Sequence, residues 1–311
     1  MKIADYIRLA RPDHWFKNIF LLPGVIVALF FSPDHKSFAL LIPVLWGLGV
    51  ACLIASSYYV LNEILDAPFD VYHPVKKGRP IPTGRISLPL AWMEFVLLSI
   101  AGLTGAFLLN RNFGWTGLLL WSMGLLYNLP PIRLKDVPYL DVLSESLNNP
   151  LRLALGWYAT GLDVIPPFSL IIAYWMFGAF LMSAKRFAEY RQIDNPARAA
   201  LYRKSFAFYT EERLLVSICY YTTLFALMSG FFIARYKFEL ILSAPVVAAA
   251  MTYYLHMTYK PNSSAQYTEN LYREPKLMIL VLLACGLCLL LLFIQLPEFD
   301  RLFLPRILPP L

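Results

Sequence analysis

The sequence predicts an all-α, polytopic membrane protein with nine transmembrane helices, and three observations carry that expectation. Hydrophobic residues make up 59% and charged residues 15% of its 311 positions, where soluble domains are roughly a quarter charged. The apolar residues fall into successive runs close to the ~20 residues a helix needs to cross a bilayer. The basic residues collect on alternate connections between those runs, as the positive-inside rule requires. A soluble core could not hide this much apolar surface, because folded monomers rarely expose large apolar patches.

The spans are expected at 15–32, 38–61, 88–110, 113–129, 139–160, 165–187, 212–234, 238–259 and 277–297. Each is read as a helix because an isolated strand would leave backbone groups unpaired in lipid. The first follows a short basic stretch and leads directly into similar runs, so no cleavable leader is expected. The fifth is the unusual one, since it contains Asp141, Glu145, Asn148, Asn149 and Arg152. With the N-terminus in the cytoplasm, twenty of the 27 basic residues fall on that side or at the span ends facing it and six on the other, with Arg152 alone deep within a span. That asymmetry supports an odd number of spans. Connections on the far side are short, such as Gly161–Pro167, whereas 62–87 and 185–211 are long and rich in Tyr, Phe and Pro. Long ordered loops in a compact fold usually carry function. Without a repeat or a soluble segment, residues 1–311 read as a single transmembrane domain.

Composition also narrows the function. A net charge of +7 suggests nucleic acid, but the cations are interleaved with apolar runs and serve topology. Cys52, Cys219, Cys285 and Cys288 all lie in apolar runs, where small packing residues are expected, and no disulfide framework is present. His14, His35 and His256 have no metal-ligand spacing, so zinc is not expected.

The chemistry gathers at a few places. Asn62-Glu63-Ile64-Leu65-Asp66-Ala67-Pro68-Phe69-Asp70 ends the second span. If the helix persists, Asn62, Asp66 and Asp70 share one face, although Pro68 is able to end it early. Converging carboxylates need a cation among them, and hard oxygen ligands suit Mg²⁺, which bridges to substrate phosphates. A solvated helix end paired with basic residues is the plainer alternative. Directly downstream, His73-Pro74-Val75-Lys76-Lys77-Gly78-Arg79-Pro80-Ile81-Pro82-Thr83-Gly84 supplies the cations a diphosphate requires on its other side. A third group is Lys185-Arg186-Phe187-Ala188-Glu189-Tyr190-Arg191, followed by Arg198, Tyr202, Arg203, Lys204, Tyr209 and Thr210. Lys185 and Glu189 are spaced for a helix ion pair, and the basic excess suits a second anion site. Polar residues at membrane depth mark function or pair internally, which singles out Asn128, Asp141, Glu145, Asn148, Asn149 and Arg152. Glu94 is taken as a packing or interface residue.

These residues resemble the UbiA superfamily of intramembrane transferases over nearly the whole chain. The first motif fits that family's Asn-Asp-x-x-Asp-x-x-x-Asp with Glu63 in place of Asp, and His73-Pro74, Lys76, Arg79-Pro80-Ile81 and Gly84 extend it. Arg11-Pro12-x-x-Trp15-x-Lys17-Asn18 and Lys185-Arg186-x-x-Glu189 are similar to the decaprenyl-phosphate phosphoribosyltransferase branch. Related prenyltransferases carry a second aspartate-rich motif after the sixth helix. Here that position holds Lys185, Arg186 and Glu189, with Asp194 one residue out of register.

The resemblance implies a nine-helix UbiA-like bundle in the cell membrane, with a cytoplasm-facing active-site cavity. It implies an enzyme that passes 5-phosphoribose from phosphoribosyl diphosphate to a polyprenyl phosphate, with diphosphate as leaving group and Mg²⁺ as cofactor. Asn62, Asp66 and Asp70, with Glu63, are expected to hold the metal. Lys76, Lys77 and Arg79 are expected on the donor phosphates, and Lys185, Arg186, Arg191, Lys17 and Arg152 on the lipid phosphate. Asn128, Lys135, Asn148, Glu189 and Tyr209 complete the expected substrate contacts. The polyprenyl tail would leave sideways into the bilayer, nucleic acid is not a partner, and the oligomeric state is open. A prenyltransferase moving an isoprenyl group to an aromatic or other lipophilic acceptor is the alternative. An anion transporter fits less well, because its ionisable groups would spread through the midplane of repeated halves.

Overall fold

The computed structural model describes residues 3–33, 37–70, 78–193, 203–261, 263–266 and 268–297. Among them every regular element is helical. A short α1 (Ile3–Leu9) is followed by a 3₁₀ stretch (Pro12–Leu21) that continues into α2 (Leu22–Phe31). Next come α3 (Leu41–Asp70), α4 (Leu88–Leu109), α5 (Arg111–Asn128) and α6 (Leu140–Ala159). The remainder is α7 (Phe168–Gln192), α8 (Glu211–Tyr236), α9 (Ala244–Met257, preceded by a 3₁₀ turn at Phe238–Ser243) and α10 (Pro275–Phe293).

Each expected span coincides with a helical segment, but not all are equally apolar. Among the described residues, seven helical segments are long and apolar enough to cross a membrane. Two helices, α5 and α6, fall short of that measure. The polar residues of α6, namely Asp141, Glu145, Asn148, Asn149 and Arg152, are the reason in its case.

The chain divides into two compact units, Met1–Pro166 with Tyr202–Phe208, and Pro167–Leu201 with Tyr209–Leu311. In the first unit α3 packs on α4 and α5, and α6 packs on α2, α3 and α5. α4 is built inside out relative to a soluble helix. It buries Ala91, Ser99, Gly102, Gly105 and Ala106 and turns Met93, Val96, Leu97 and Ile100 outward. Small residues inside and large apolar ones outside are the pattern of helices that pack in lipid.

The crossing of α2 and α6 depends on two glycines. A Cβ on Gly24 would lie 1.8 Å from the Leu153 carbonyl oxygen, and one on Gly156 would lie 1.9 Å from that of Leu21. Only bare backbone allows this approach, and it brings the 3₁₀ segment carrying Asn18 against Arg152. In the second unit α7 packs along α8, and α9 packs against α10.

Candidate active site

The acidic motif sits on a helix and not in a loop. α3 continues past residue 61, where the second span was expected to end, through Pro68 to Asp70. Proline in the last turn removes a single amide bond, so the helix tolerates it there. Tyr58, Asn62, Asp66 and Asp70 therefore stand four residues apart on one face.

Asp66 is the centre of the cluster. Its Oδ1 accepts from Arg133 at 2.8 Å and from Lys135 at 2.7 Å, and its Oδ2 accepts from the Asn62 amide at 3.2 Å. Asn128, at the end of α5, accepts from Asn62 at 2.6 Å and from Lys135 at 3.0 Å, and donates to the Gly124 carbonyl. Arg133 also pairs with Asp136 at 3.2 Å. Burial pushes the Lys135 ammonium below its ordinary value, and the Asp66 carboxylate opposes that shift. Asp70, only 5% exposed, accepts from Arg79.

Glu63, expected among the metal ligands, is engaged elsewhere. Its position on α3 is one residue off the Asn62–Asp66–Asp70 face, and its carboxylate accepts from the Ile81 amide at 3.1 Å. Arg11 lies 3.9 Å from its other oxygen. Glu63 thus ties the 78–87 segment, which carries Arg79, to α3. Arg85 ties the same segment to α1 through Asp5 at 3.1 Å. Arg11 and Arg133 both adopt positive φ, 50° and 33°. Such conformations are uncommon outside glycine and cluster at functional sites, and here both side chains reach a carboxylate of the motif.

One turn before Asn62, the Tyr58 hydroxyl accepts from Arg152 at 3.0 Å, and Arg152 also donates to Asn18 at 3.0 Å. Asn18 donates in turn to Cys52 at 3.2 Å, and Trp15 donates to Ser56 at 2.9 Å. The opening Trp15–Asn18 motif is therefore packed on α3. Arg152 is 5% exposed and Asn148 7% exposed, so the polar face of α6 is buried. Lys17 is half-buried on the same 3₁₀ segment.

In the second unit Lys185 and Glu189, though spaced for a helix ion pair, do not pair. Glu189 takes Arg186 instead, three residues away, at 2.9 Å. Arg186 is buried whereas Lys185 is half-exposed, so burial favours the arginine, whose fork pairs better with a carboxylate. Arg191 pairs with Glu211 at 2.9 Å and lies 5.0 Å from the Tyr259 ring centroid. Tyr209 is buried. Lys76, Lys77, His73, Asp194, Arg198 and Tyr202 lie outside the described residues.

These donors fit a divalent ion only in part. Among the described residues no three His, Cys, Asp or Glu side chains converge to hold a metal on their own. Asn62, Asp66 and Asp70 do supply oxygens on one face. Mg²⁺ is commonly held by one or two carboxylates together with water and substrate phosphate, not by a closed protein cage. The set fits a metal that arrives with a diphosphate.

The profile of the UbiA prenyltransferase family matches residues 20–272, well over half of the chain. The chain belongs to that family. It is therefore a membrane-embedded, multi-pass transferase. It is 30% identical over 213 residues to the decaprenyl-phosphate phosphoribosyltransferase of Mycobacterium tuberculosis, covering 68% of each chain. It is 29% identical over 175 residues to a lycopene elongase/hydratase of Haloarcula japonica, covering 55% of this chain and 56% of the relative. In fold it matches a UbiA homolog from Archaeoglobus fulgidus bound to GPP and Mg²⁺, with a TM-score of 0.68 and 21% identity. That match covers 93% of this chain and 100% of the other.

Three residues beyond those expected from the sequence join the cluster. Arg133, a basic residue of the connection between α5 and α6, reaches the central carboxylate. Its signal was its place two residues before Lys135 in a proline-bounded turn. Tyr58 was legible as the next step of the four-residue spacing, one turn before Asn62. Asn18, part of the opening motif, is a buried amide directly after Lys17.

Proposed function

We propose that this UbiA-family enzyme transfers 5-phosphoribose from phosphoribosyl diphosphate to a polyprenyl phosphate, in the cell membrane, with its N-terminus and active-site loops in the cytoplasm. The observation that carries this reading is the buried polar floor of Tyr58, Asn18, Arg152 and Asn148 next to the acids of α3. An isoprenyl chain attached to the diphosphate would meet charge and amide there, whereas a sugar phosphate meets partners. The likeness to the mycobacterial phosphoribosyltransferase supports the same choice.

Asn62, Asp66 and Asp70 are the residues we assign to Mg²⁺ on the donor diphosphate. When bound there, the ion would neutralise charge that builds on the diphosphate as it leaves. Arg79, Arg133 and Lys135 now neutralise the carboxylates. With the metal in place they are free to turn to phosphate oxygens, Arg by its fork and Lys as a point charge. We keep Lys76 and Lys77 on the donor phosphates and Asn128 as the residue that orients Asn62 and Lys135. We assign the lipid phosphate to the basic side chains of α7, Lys185, Arg186 and Arg191, with Glu189 orienting Arg186. A phosphate oxygen of the lipid forms the bond to the anomeric carbon, and the bond from that carbon to the diphosphate breaks. The nucleophile is already an anion, so no general base is needed.

Labelled phosphoribosyl diphosphate, polyprenyl phosphate and Mg²⁺ with the purified protein in detergent test this directly. A labelled lipid product is expected. Turnover of an isoprenyl diphosphate with a lipophilic acceptor, and none of phosphoribosyl diphosphate, would establish the prenyltransferase alternative. Complexes with isoprenyl diphosphates are known for the fold relatives, GPP in one and DMAPP in another.

A further inference from the structure

The side-chain oxygen of Asn148 has no hydrogen-bond partner, whereas Arg152, one turn along α6, makes two bonds. The residue is 7% exposed, and its Oδ1 is buried with no partner among the described residues. Buried polar groups are almost always partnered, since an amide stripped of water and left unpaired is costly. An orphan of this kind inside a polar stripe is where a ligand completes the bonding.

Its position says which part of a ligand that is. Tyr58 on α3 meets Arg152 on α6, and Asp66, two turns further along α3, meets Lys135 in the turn just before α6, so α3 and α6 pass the site in opposite directions. Asn148 is one turn from Arg152 towards Lys135, and Asn62 is one turn from Tyr58 towards Asp66. The two amides therefore stand at the same depth, one turn below the carboxylates. A donor whose diphosphate sits at Asp66 and Asp70 places the group it transfers at this level.

We propose that Asn148 is a specificity residue that binds a hydroxyl of the donor's sugar, an inference that rests on the phosphoribosyl reading above. A hydroxyl donates to Oδ1 and accepts from Nδ2 at once, which suits both halves of the amide. An isoprenyl group brings only carbon to this position and leaves the amide unpaired. Sites built to bind a hydroxyl discriminate strongly against analogues that lack it. Asn148 thus selects sugar donors and disfavours isoprenyl donors, with Glu145 and Arg152 flanking it one turn to either side.

The test compares phosphoribosyl diphosphate with its 2-deoxy and 3-deoxy analogues in the wild type, Asn148→Leu and Asn148→Ser. Removing the hydroxyl that Asn148 binds should lower wild-type kcat/KM roughly 10- to 100-fold. In Asn148→Leu the loss should appear with the full donor, and deoxygenation should then change kcat/KM by less than about twofold. Asn148→Ser keeps a shorter polar group and should fall between the two. It answers the same question if the leucine variant does not fold. A merely structural Asn148 would lower the melting temperature in both variants and leave the discrimination intact. Phosphoribosyl transfer with wild-type discrimination retained in the folded variants overturns this proposal alone. No phosphoribosyl transfer by the wild type overturns it together with the reading of the function.

Discussion

The two compact units handle charge in different ways. In the first, ion pairs and hydrogen bonds join distant parts of the chain. Arg133 and Lys135 reach Asp66 from 67 and 69 residues away, and Arg152 reaches Asn18 from 134 residues away. In the second, buried ion pairs are local, and long-range bonds such as those from Lys237 to the Ile294 carbonyl and from Gln266 to that of Ala188 run from side chain to backbone. Arg186 takes Glu189 three residues on, and Lys237 takes Glu239 two residues on at 2.9 Å. Local pairs form wherever a helix turn brings two side chains together. Long-range pairs buried among α3, α5 and α6 require the whole bundle to close in one arrangement, so the first unit is where tertiary packing places the polar groups.

The sharpest way to break this contrast is at the centre of the long-range cluster. Asp66→Asn should lower turnover by about 10³-fold or more, on the scale of losing a principal electrostatic group, while the protein still purifies folded. Asp70→Asn should behave alike. Activity surviving both changes would remove the metal assignment and leave Asp66 as a salt-bridge residue only.

Next in size is the crossing that holds Arg152 against Asn18. Gly156→Ala puts a Cβ into the Leu21 carbonyl, and should cost about 1–3 kcal/mol as overpacking does, read as a lowered melting temperature in detergent. Gly161→Ala tests backbone conformation alone, since Gly161 has a φ of 88° and open space around it. The loss there should be smaller, about 1 kcal/mol. Equal melting temperatures for wild type and Gly156→Ala would mean that α2 and α6 do not approach as described.

Glu63 separates clamp from ligand. Its carboxylate receives the Ile81 amide. A glutamine at this position can keep that bond through its carbonyl, whereas an aspartate, one methylene shorter, cannot reach it. Glu63→Gln should therefore retain activity within about threefold, and Glu63→Asp should raise the KM for the donor roughly tenfold by loosening Arg79. The Mg²⁺ concentration needed for half-activity should stay the same in both. If Glu63 were a metal ligand the order would reverse, with Asp tolerated and Gln demanding more Mg²⁺.

The smallest effect belongs to the second unit. Arg191 and Glu211 pair at the surface, and Glu211→Gln should change stability by less than about 0.5 kcal/mol, as exposed pairs do. A larger loss would show that this unit, too, depends on its ion pairs.

Much of this protein was readable from its residues. Apolar runs of membrane length and the one-sided distribution of Lys and Arg are properties of composition along the chain, and they specify helices without reference to packing. The four-residue spacing of Asn62, Asp66 and Asp70 is equally local, because a helix turns it into a face. Even the weakness of α6 as a span followed from its own side chains. The partners of those groups were not readable. Nothing in the sequence says that Glu63 reaches Ile81 while Asp66 faces Arg133, that Glu189 chooses Arg186 over Lys185, or that α3 carries on through Pro68. Those choices depend on which atoms meet when helices cross at two glycines, and a buried amide such as Asn148 shows its lack of a partner only after every neighbour is in place. Hydrophobicity and helical periodicity act over one turn or one span and so are written in the chain. The bonding of charged groups to partners 67 to 134 residues away is decided by close packing and the cost of burying an unpaired group, and only the tertiary structure settles it.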